Sequence, residues 1–176
     1  MDFEILDTPR LLLRKLTPEV YDYLYTNYSD EECINHLGLH NHQELVTEKE
    51  KHQKGLSAYD RTFLVFQMIE KSSNQVIGMC GFVRHYPSHF RAEFGYALSV
   101  ETTKRKGYMS EVAPSIIQYG FGKMKLIRIE AMVGSNNIAS LKIIDRLGFE
   151  KEGCMRQHYH KDGVMEDSLI FSLIKM

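Results

Sequence analysis

The sequence has 176 residues, 43% of them hydrophobic and 26% charged, with a formal net charge of −1. This length predicts one domain, residues 1–176, with its own core, and the near-zero charge argues against a nucleic-acid partner. No apolar run reaches the ~18 residues of a membrane span, and the acidic start differs from a signal peptide, so we expect a cytoplasmic protein without a membrane partner.

The first third of the chain predicts one strand and two helices. The apolar run RLLLRKL at 10–16 favours a strand. Thr17 and Pro18 then suit the cap and first position of a helix, whose apolar residues recur every three or four positions: Val20, Tyr21, Leu24 and Tyr28. The charged stretch 44–57 predicts a second, more exposed helix.

The middle of the chain predicts a β-hairpin and a further strand. Apolar, β-rich runs at 63–69 and 76–83 flank a turn at 72–74. The next strand covers 91–100, and alternation divides its side chains between two faces. One face carries Phe94, Tyr96 and Leu98, and the other carries Glu93, Gly95 and Ala97.

A basic turn, KRKG at 104–107, precedes the next predicted helix, which has an apolar stripe at Val112, Ile116, Tyr119 and Met124. Pro114 inside this helix predicts a kink or a widened turn. A helix start exposes unpaired N–H groups, and glycine lets an anion approach them, so the turn suits a diphosphate. A solvated basic turn is the alternative, since neither a Walker nor a GxGxxG pattern is present.

The last part of the chain predicts a strand at 127–133, a helix that starts at Asn136 or Asn137 and ends at Gly148, and a final hairpin turning at 162–163. The helix has its own apolar stripe: Ile138, Leu141, Ile144 and Leu147. The element order is β-α-α-β-β-β-α-β-α-β-β. This order predicts an α/β fold with a mixed sheet and helices on both faces.

The stretch NNIASLKIIDRLGF places Asn137 and Ser140 at the start of the last helix. By themselves these are ordinary cap and first-turn residues. Together with the KRKG turn they are more informative. Two successive helix starts would then point to the same edge of the sheet and flank the strand at 91–100.

Cysteine and histidine positions predict no metal site. The cysteines are odd in number and far apart, and we expect all three to be buried: Cys33, Cys80 and Cys154. The stretch HLGLHNH contains His36, His40 and His42 without acidic or thiol partners at zinc-site spacing. We therefore expect that stretch to be a solvated loop.

Two long stretches, AEFGYALSVETTKRKGYMSEV and IRIEAMVGSNNIASLKIIDRLGFEKEG, resemble the GNAT N-acetyltransferase superfamily. The opening TPRLLLRKLTPE and the closing KDGVMEDSLIFSLIK are similar to its branch of ribosomal-protein N-terminal acetyltransferases, so the resemblance covers nearly the whole chain. It implies a twisted, mostly antiparallel, seven-stranded sheet with flanking helices. A central parallel pair, 92–100 and 127–133, would splay apart.

The resemblance implies acetyl-CoA as cosubstrate, with CoA as product. Pantetheine would occupy the gap and bond to the strand backbone near Leu98, Ser99 and Val100. The diphosphate would rest on the following turn and helix start: Arg105, Lys106, Gly107, Tyr108, Met109 and Ser110. Asn137 would contact the pantetheine arm, and Ser140 would lie near the thiol.

Three positions depart from the pattern that this resemblance implies, which is Arg/Gln-x-x-Gly-x-Gly/Ala at the turn. Lys104 replaces Arg or Gln, and Met109 replaces a small residue that packs closely against CoA. Pro114 removes an N–H from the helix that follows. We expect these differences to change the affinity and geometry of the cofactor site.

The resemblance also suggests catalytic groups. Glu93, on the cofactor strand, is the candidate base, and a surface glutamate paired with Arg91 or another neighbour is the alternative. Ser140 is the candidate partner of the leaving thiolate, because Ile144 stands where some relatives carry a tyrosine. A helix-turn serine without a catalytic role is the alternative for that residue.

We expect the acceptor amine to lie against an aromatic, moderately basic rim: His85, Tyr86, Phe90 and Tyr159. The histidines beside Tyr159, His158 and His160, are further candidate bases at neutral pH. Such a rim does not choose among amines. Analogy with the branch favours a protein N-terminal α-amine. One alternative acceptor is a small amine (a polyamine, amino acid or antibiotic). The other alternative is that the protein is a non-catalytic regulator that binds acetyl-CoA. The sequence leaves a homodimer open.

Overall fold

The structure, a computed structural model, describes residues 3–53, 61–99 and 101–175. Its helices are α1 (Pro18–Asn27), α2 (Asp30–Leu37), α3 (His42–Gln53), α4 (Tyr108–Gly122) and α5 (Ile138–Arg146). Its strands are β1 (Ile5–Asp7), β2 (Leu11–Leu16), β3 (Thr62–Glu70), β4 (Gln75–Tyr86), β5 (Arg91–Leu98), β6 (Arg128–Gly134), β7 (Glu150–Lys161) and β8 (Val164–Ile174).

The strands form one sheet in the order β1-β2-β3-β4-β5-β6-β8-β7. Neighbouring strands pair antiparallel except β5 and β6, which are parallel and are connected through α4. This topology confirms the predicted mixed sheet with a central parallel pair. The expected count of seven strands is wrong by one, because the three-residue strand β1 pairs with β2 at the sheet edge.

Helix α2 is absent from the sequence-based prediction, although its ends carry readable signals. The Ser29 hydroxyl accepts a hydrogen bond from the Glu32 N–H, and the Glu32 carboxylate accepts one from the Ser29 N–H, which makes a capping box. Gly38 ends the helix in the left-handed conformation, with φ 68°. The next helix, α3, begins two residues before the predicted 44–57, and 54–57 lie outside the described residues.

Hydrophobic cores lie on both faces of the sheet. The larger core packs the sheet against α4 and α5 and includes Phe66, Phe82, Val112, Ile116, Ile129 and Ile144. The smaller core packs β2–β4 against α1–α3 and includes Leu16, Val20, Leu24, Leu37 and Leu45. Among the described residues, the smaller core contains none from β5–β8. We call that uncovered side of β5, β6 and β8 the open face.

The predicted helix and hairpin ends are mostly confirmed. Helix α4 continues through Pro114, so the proline does not end it, and a kink there stays a prediction. Met124 lies beyond the end of α4 but still packs against the larger core. Gly148, with φ 79°, follows α5 as predicted. Asp162 and Gly163, both with positive φ, make the two-residue turn between β7 and β8.

The cysteine expectation is wrong for one residue. Cys33 and Cys80 are buried, whereas Cys154 is exposed. Cys154 lies on β7, which is the outermost strand of the sheet and is exposed along most of its length. Cys154 is therefore exposed because this edge strand packs little against the core.

The expectation of a solvated loop is confirmed for 38–41, which include the exposed His40, but it is wrong for the two ends of the histidine-rich stretch. His36 lies in α2, with its ring centroid 4.8 Å from that of Tyr28, and His42 begins α3. Burial, and then the charge of Arg14, lower the pKa of His36. Within the described residues, no cluster of His, Cys, Asp or Glu could hold a metal ion. Over the same residues, no helix has the length and apolar character needed to cross a membrane.

Candidate active site

The parallel strands β5 and β6 pair only at their amino ends. The paired residues are Arg91 with Arg128, Ala92 with Ile129, and Glu93 with Glu130. Beyond these pairs, 94–98 of β5 and 131–134 of β6 have no strand partner among the described residues on the sides that face each other. The structure therefore contains the splayed pair that the resemblance implies.

The backbone of β5 turns alternate residues toward this gap. The Ser99 N–H donates to the Ile77 carbonyl of the β4 side at 3.0 Å, so the amide of Ser99 points away from the gap. Because backbone groups alternate along a strand, those of Leu98 and Tyr96 point into it. Of the three predicted backbone contacts, Leu98 is thus well placed, and Val100 lies outside the described residues.

A cavity of about 530 Å³ opens where the gap meets α4 and α5. It is bounded by the end of β5, the turn at 103–107, the first turn of α4 and one side of α5 along its length. Eight of the predicted cofactor residues line it: Leu98, Arg105, Gly107, Tyr108, Met109, Ser110, Asn137 and Ser140. Lys106 and Ser99 are not among its lining residues.

The amino end of α4 presents open backbone donors to this cavity. Gly107 is the cap residue, at φ 78°, and it has no side chain to satisfy the first N–H groups of the helix. The first intrahelical bond runs from the Glu111 N–H to the Gly107 carbonyl at 3.1 Å. The amides of 108–110 therefore have no partner within α4, and they carry the positive end of its dipole.

The charge of the cavity lining is entirely positive. Four cationic residues contribute to it: Lys104, Arg105, Lys142 and Arg146. None of its lining residues is Asp or Glu. Lys142 and Arg146 lie one turn apart on α5 and were not predicted, although their i, i+4 spacing on a helix that starts at the cavity is visible in the sequence.

Ser140 is held inside the cavity by two hydrogen bonds. The Tyr96 hydroxyl donates to Ser140 Oγ at 2.8 Å, and the Ser140 N–H donates to Asn137 Oδ1 at 3.1 Å. Burial raises the pKa of Tyr96, and the bond to Ser140 lowers it only in part. Tyr96 therefore stays protonated at neutral pH and acts as the donor. Sequence reasoning missed Tyr96 because its partner is 44 positions away.

Met109 faces the core as well as the cavity. Its side chain is only 4% exposed and belongs to the larger core, together with Tyr108 and Val112. Met109 thus belongs both to the cavity lining and to the core, and the effect of this departure on CoA binding stays a prediction.

Glu93 lies at the apex of the gap, in the last paired position of β5 and β6. Its carboxylate pairs with Arg84 Nη1 at 2.6 Å, and its side chain is 14% exposed. The partner is therefore Arg84 on β4, because Arg91 pairs instead with Glu130 at 2.9 Å. The catalytic role of Glu93 stays a prediction.

The predicted acceptor residues do not form one rim. His85 and Tyr86 end β4. The Phe90 carbonyl accepts a hydrogen bond from the Ile127 N–H at 2.7 Å, so all three residues lie at the amino ends of β5 and β6. Tyr159, which is 58% exposed, lies on β7 near the opposite end of β6. A single small amine could not touch both groups.

Two polar groups lie near the carboxyl end of β6: Glu166, which was not predicted, and His158, which the sequence offered as a candidate base. Glu166 is the cross-strand partner of Tyr159, and a Cβ built on Gly134 would lie 3.3 Å from its Oε2. His158 Nδ1 lies 3.0 Å from the hydroxyl of the buried Ser168. A register shift between Met155 and Tyr159 on β7 re-aims these side chains, and the sequence carries no signal for it.

Comparison with known proteins supports the same reading. The family model "Acetyltransferase (GNAT) domain" matches residues 10–150. The chain is 32% identical over 174 residues to the uncharacterized N-acetyltransferase YoaA of Bacillus subtilis (strain 168), covering 98% of both chains. It is 35% identical over 174 residues to the uncharacterized N-acetyltransferase p20 of Bacillus licheniformis, covering 98% of this chain and 97% of that one.

A solved structure shares the fold. RimL, a ribosomal L7/L12 alpha-N-protein acetyltransferase in complex with coenzyme A, superposes with a TM-score of 0.69 and 20% sequence identity. The match covers 97% of this chain and 98% of that one. At this identity the likeness concerns the fold alone.

Proposed function

We propose, from the premise that this chain belongs to the GNAT acetyltransferase family and is an N-acetyltransferase, that it transfers the acetyl group of acetyl-CoA to the α-amine of a protein N-terminus. One observation carries the cosubstrate. The cavity combines an unpaired strand edge, an open helix start and a lining of four cations without a carboxylate, of which Lys104 pairs with Glu101 outside the lining.

These residues fit acetyl-CoA part by part. The edge of β5 at Leu98 and Tyr96 matches the amide-bearing pantetheine arm, since an extended chain can pair there as a strand would. The open amides at 108–110 match the diphosphate. The cations of the lining, Lys142 and Arg146 among them, match the remaining phosphate.

Ser140 would stabilise the leaving thiolate. Because Tyr96 donates to Ser140 Oγ, the Ser140 proton is free to point elsewhere, into the cavity. A hydroxyl held in this way can donate to the sulfur as the carbon–sulfur bond breaks, without reorganising during the step. The thiolate of CoA then takes up a proton from solvent as CoA departs.

The amine needs little activation. An α-amino group has a pKa of about 7.7–8.0, so a useful fraction is neutral at pH 7 and can attack the thioester carbonyl directly. Holding the two reactants together supplies about 7–11 kcal/mol. We propose that Glu93, at the apex of the gap, takes the proton that the amine loses, either directly or through water.

The choice of a protein N-terminus has two supports. The fold neighbour RimL is named as a protein α-N-acetyltransferase. Three carboxylates on or beside the open face are already paired with arginine: Glu93 of β5, Glu130 of β6 and Glu152 of the neighbouring strand β7. A face whose carboxylates are paired in this way offers little electrostatic attraction to a polyamine with several positive charges. A peptide with a single terminal charge does not depend on such attraction.

The test measures thiol release from acetyl-CoA with three acceptor classes. They are peptides that begin with Ala or Ser, the same peptides acetylated at the N-terminus, and spermidine. We expect release only with the free N-termini, and mass spectrometry should locate the acetyl group on the α-amine. Thiol release with spermidine alone would instead identify a small amine as the acceptor. CoA binding without thiol release on any amine would favour a regulator over an enzyme.

The matched variants separate chemistry from binding. Ser140→Ala and Glu93→Gln should each lower turnover about tenfold, while the affinity for CoA stays within twofold. Unchanged turnover in either variant would remove that residue from the mechanism.

A further inference from the structure

The basic turn at 104–107 is attached to a distant part of the chain. Arg10, the residue before β2, sends its side chain across to the start of α4. Its Nε donates to Glu111 Oε2 at 2.6 Å, and its Nη1 donates to the Lys106 carbonyl at 3.0 Å. Its guanidinium also lies 4.5 Å from the ring centroid of Tyr108.

The Glu111 carboxylate is held from the same side by two further donors. The Arg10 N–H and the Thr8 hydroxyl both donate to Oε1 at 2.8 Å. Burial opposes ionisation of Glu111, but these hydrogen bonds outweigh it and lower its pKa. Glu111 is therefore an ionised group, 13% exposed, in the first turn of α4.

This arrangement has a consequence for anion binding. A negative charge in the first turn suits the helix dipole but would repel an incoming phosphate. Arg10 neutralises it with an ion pair through Nε, and the bond from Nη1 to the Lys106 carbonyl fixes the peptide that leads into Gly107. Nη2, which has no hydrogen bond to any described residue, would lie 3.8 Å from a Cβ built on Gly107.

We propose that Arg10 is a positioning residue for the diphosphate of CoA. It acts by holding the turn at 104–107 and by neutralising Glu111, so that the amides of 108–110 face the anion. The proposal rests on the CoA site proposed above. It assigns to the N-terminal segment a part in cofactor binding that neither the turn nor its helix reveals.

The test compares two ligands, CoA and pantetheine, in Arg10→Lys. This variant keeps the positive charge but lacks the two guanidinium N–H groups that contact Glu111 and the Lys106 carbonyl. The affinity for CoA is measured by calorimetry. The affinity for pantetheine, which has no diphosphate, is measured by NMR titration. We expect CoA to bind about tenfold more weakly and pantetheine to change less than twofold. Arg156→Lys, a matched change at an exposed position on β7, should alter neither.

Glu111→Gln provides the second arm. If Arg10 acts through Glu111, the loss of CoA affinity that Arg10→Lys causes should be smaller in the Glu111→Gln background than in the wild type. Equal losses for CoA and pantetheine, or unchanged CoA affinity, would overturn the proposal. Wild-type protein that fails to bind CoA would instead overturn the proposed function, so the two failures are distinguishable.

Discussion

Helices α4 and α5 begin at the same cavity, but their first turns are finished differently. α4 starts at Gly107, which has no cap side chain, and the amides of 108–110 have no partner within the helix. α5 starts at Asn137, whose side chain accepts the Ser140 N–H. One helix start leaves its first amides open, where we propose that the diphosphate binds, and the other is closed by a side chain that also holds Ser140 in place. Whether a side chain caps the first amides of a helix decides whether those amides can bind a ligand or hold a neighbouring residue in place.

Closing the open start should have the largest effect. Gly107→Asp keeps a residue that tolerates the left-handed conformation but adds a carboxylate cap beside the expected diphosphate. We expect CoA to bind about 100-fold more weakly, equivalent to ~2.7 kcal/mol. The control is Gly163→Asp, which replaces another left-handed glycine, at φ 80°, in the turn between β7 and β8. Similar CoA affinity in the two variants would contradict an anion site at α4.

Removing the cations of α5 should have the next largest effect. Lys142→Ala/Arg146→Ala takes two positive charges from the cavity lining without touching either cap. Exposed charge pairs contribute up to ~1 kcal/mol each, so we expect about a tenfold loss of CoA affinity. The loss should be smaller for dephospho-CoA, which lacks the 3′-phosphate. Lys151→Ala/Arg156→Ala, with the same charge change on β7, should leave calorimetric affinities unchanged.

Removing the hydroxyl that orients Ser140 should have a smaller effect, on turnover only. Tyr96→Phe keeps the ring, and we expect turnover to fall about fivefold with little change in CoA affinity. Because burial raises the pKa of Tyr96 above its ordinary value of 10.0, the hydroxyl is protonated throughout about pH 7–9. The ratio of wild-type to variant turnover should therefore be constant over this range. A ratio that varies with pH would assign Tyr96 a titrating role instead.

Opening the closed start should have the smallest effect. Asn137→Ala removes the cap of α5 and should lower the free energy of unfolding by ~1 kcal/mol, which a melting curve detects as a shift of about 2–4 °C. Turnover should fall slightly more than CoA affinity, because Ser140 loses its backbone anchor. Asn136→Ala, at the neighbouring exposed position, should change neither quantity. An equal loss of CoA affinity in Asn137→Ala and Gly107→Asp would abolish the distinction between the two helix starts.

The parts of this site that follow from local sequence were predictable. Gly107 and Asn137 lie where a turn becomes a helix, and glycine and asparagine have known preferences there, so both were identified from their neighbours. The capping box at Ser29 and the cation spacing of Lys142 and Arg146 carry equally local signals. They could have been found in the same way.

The long-range contacts could not be predicted from local patterns. Arg10 and Glu111 are 101 positions apart, and Tyr96 and Ser140 are 44 apart, so only the folded sheet brings each pair together. The partner of Glu93 depended on the register of β4 against β5, which contains an irregularity between Phe82 and Arg84. One irregular residue changes which side chains share a face, and no spacing rule reveals it.

The separation of β5 from β6 has a consequence for the free protein. An eight-stranded sheet with an unpaired seam at its centre leaves the backbone groups of Tyr96 and Leu98 on that side without a strand partner among the described residues, as at a sheet edge. A ligand that supplies amides along this seam supplies the missing rungs of the ladder. The proposed cosubstrate would then pair with β5 as an additional strand does. Its binding should slow the hydrogen exchange of backbone amides in the middle of the sheet.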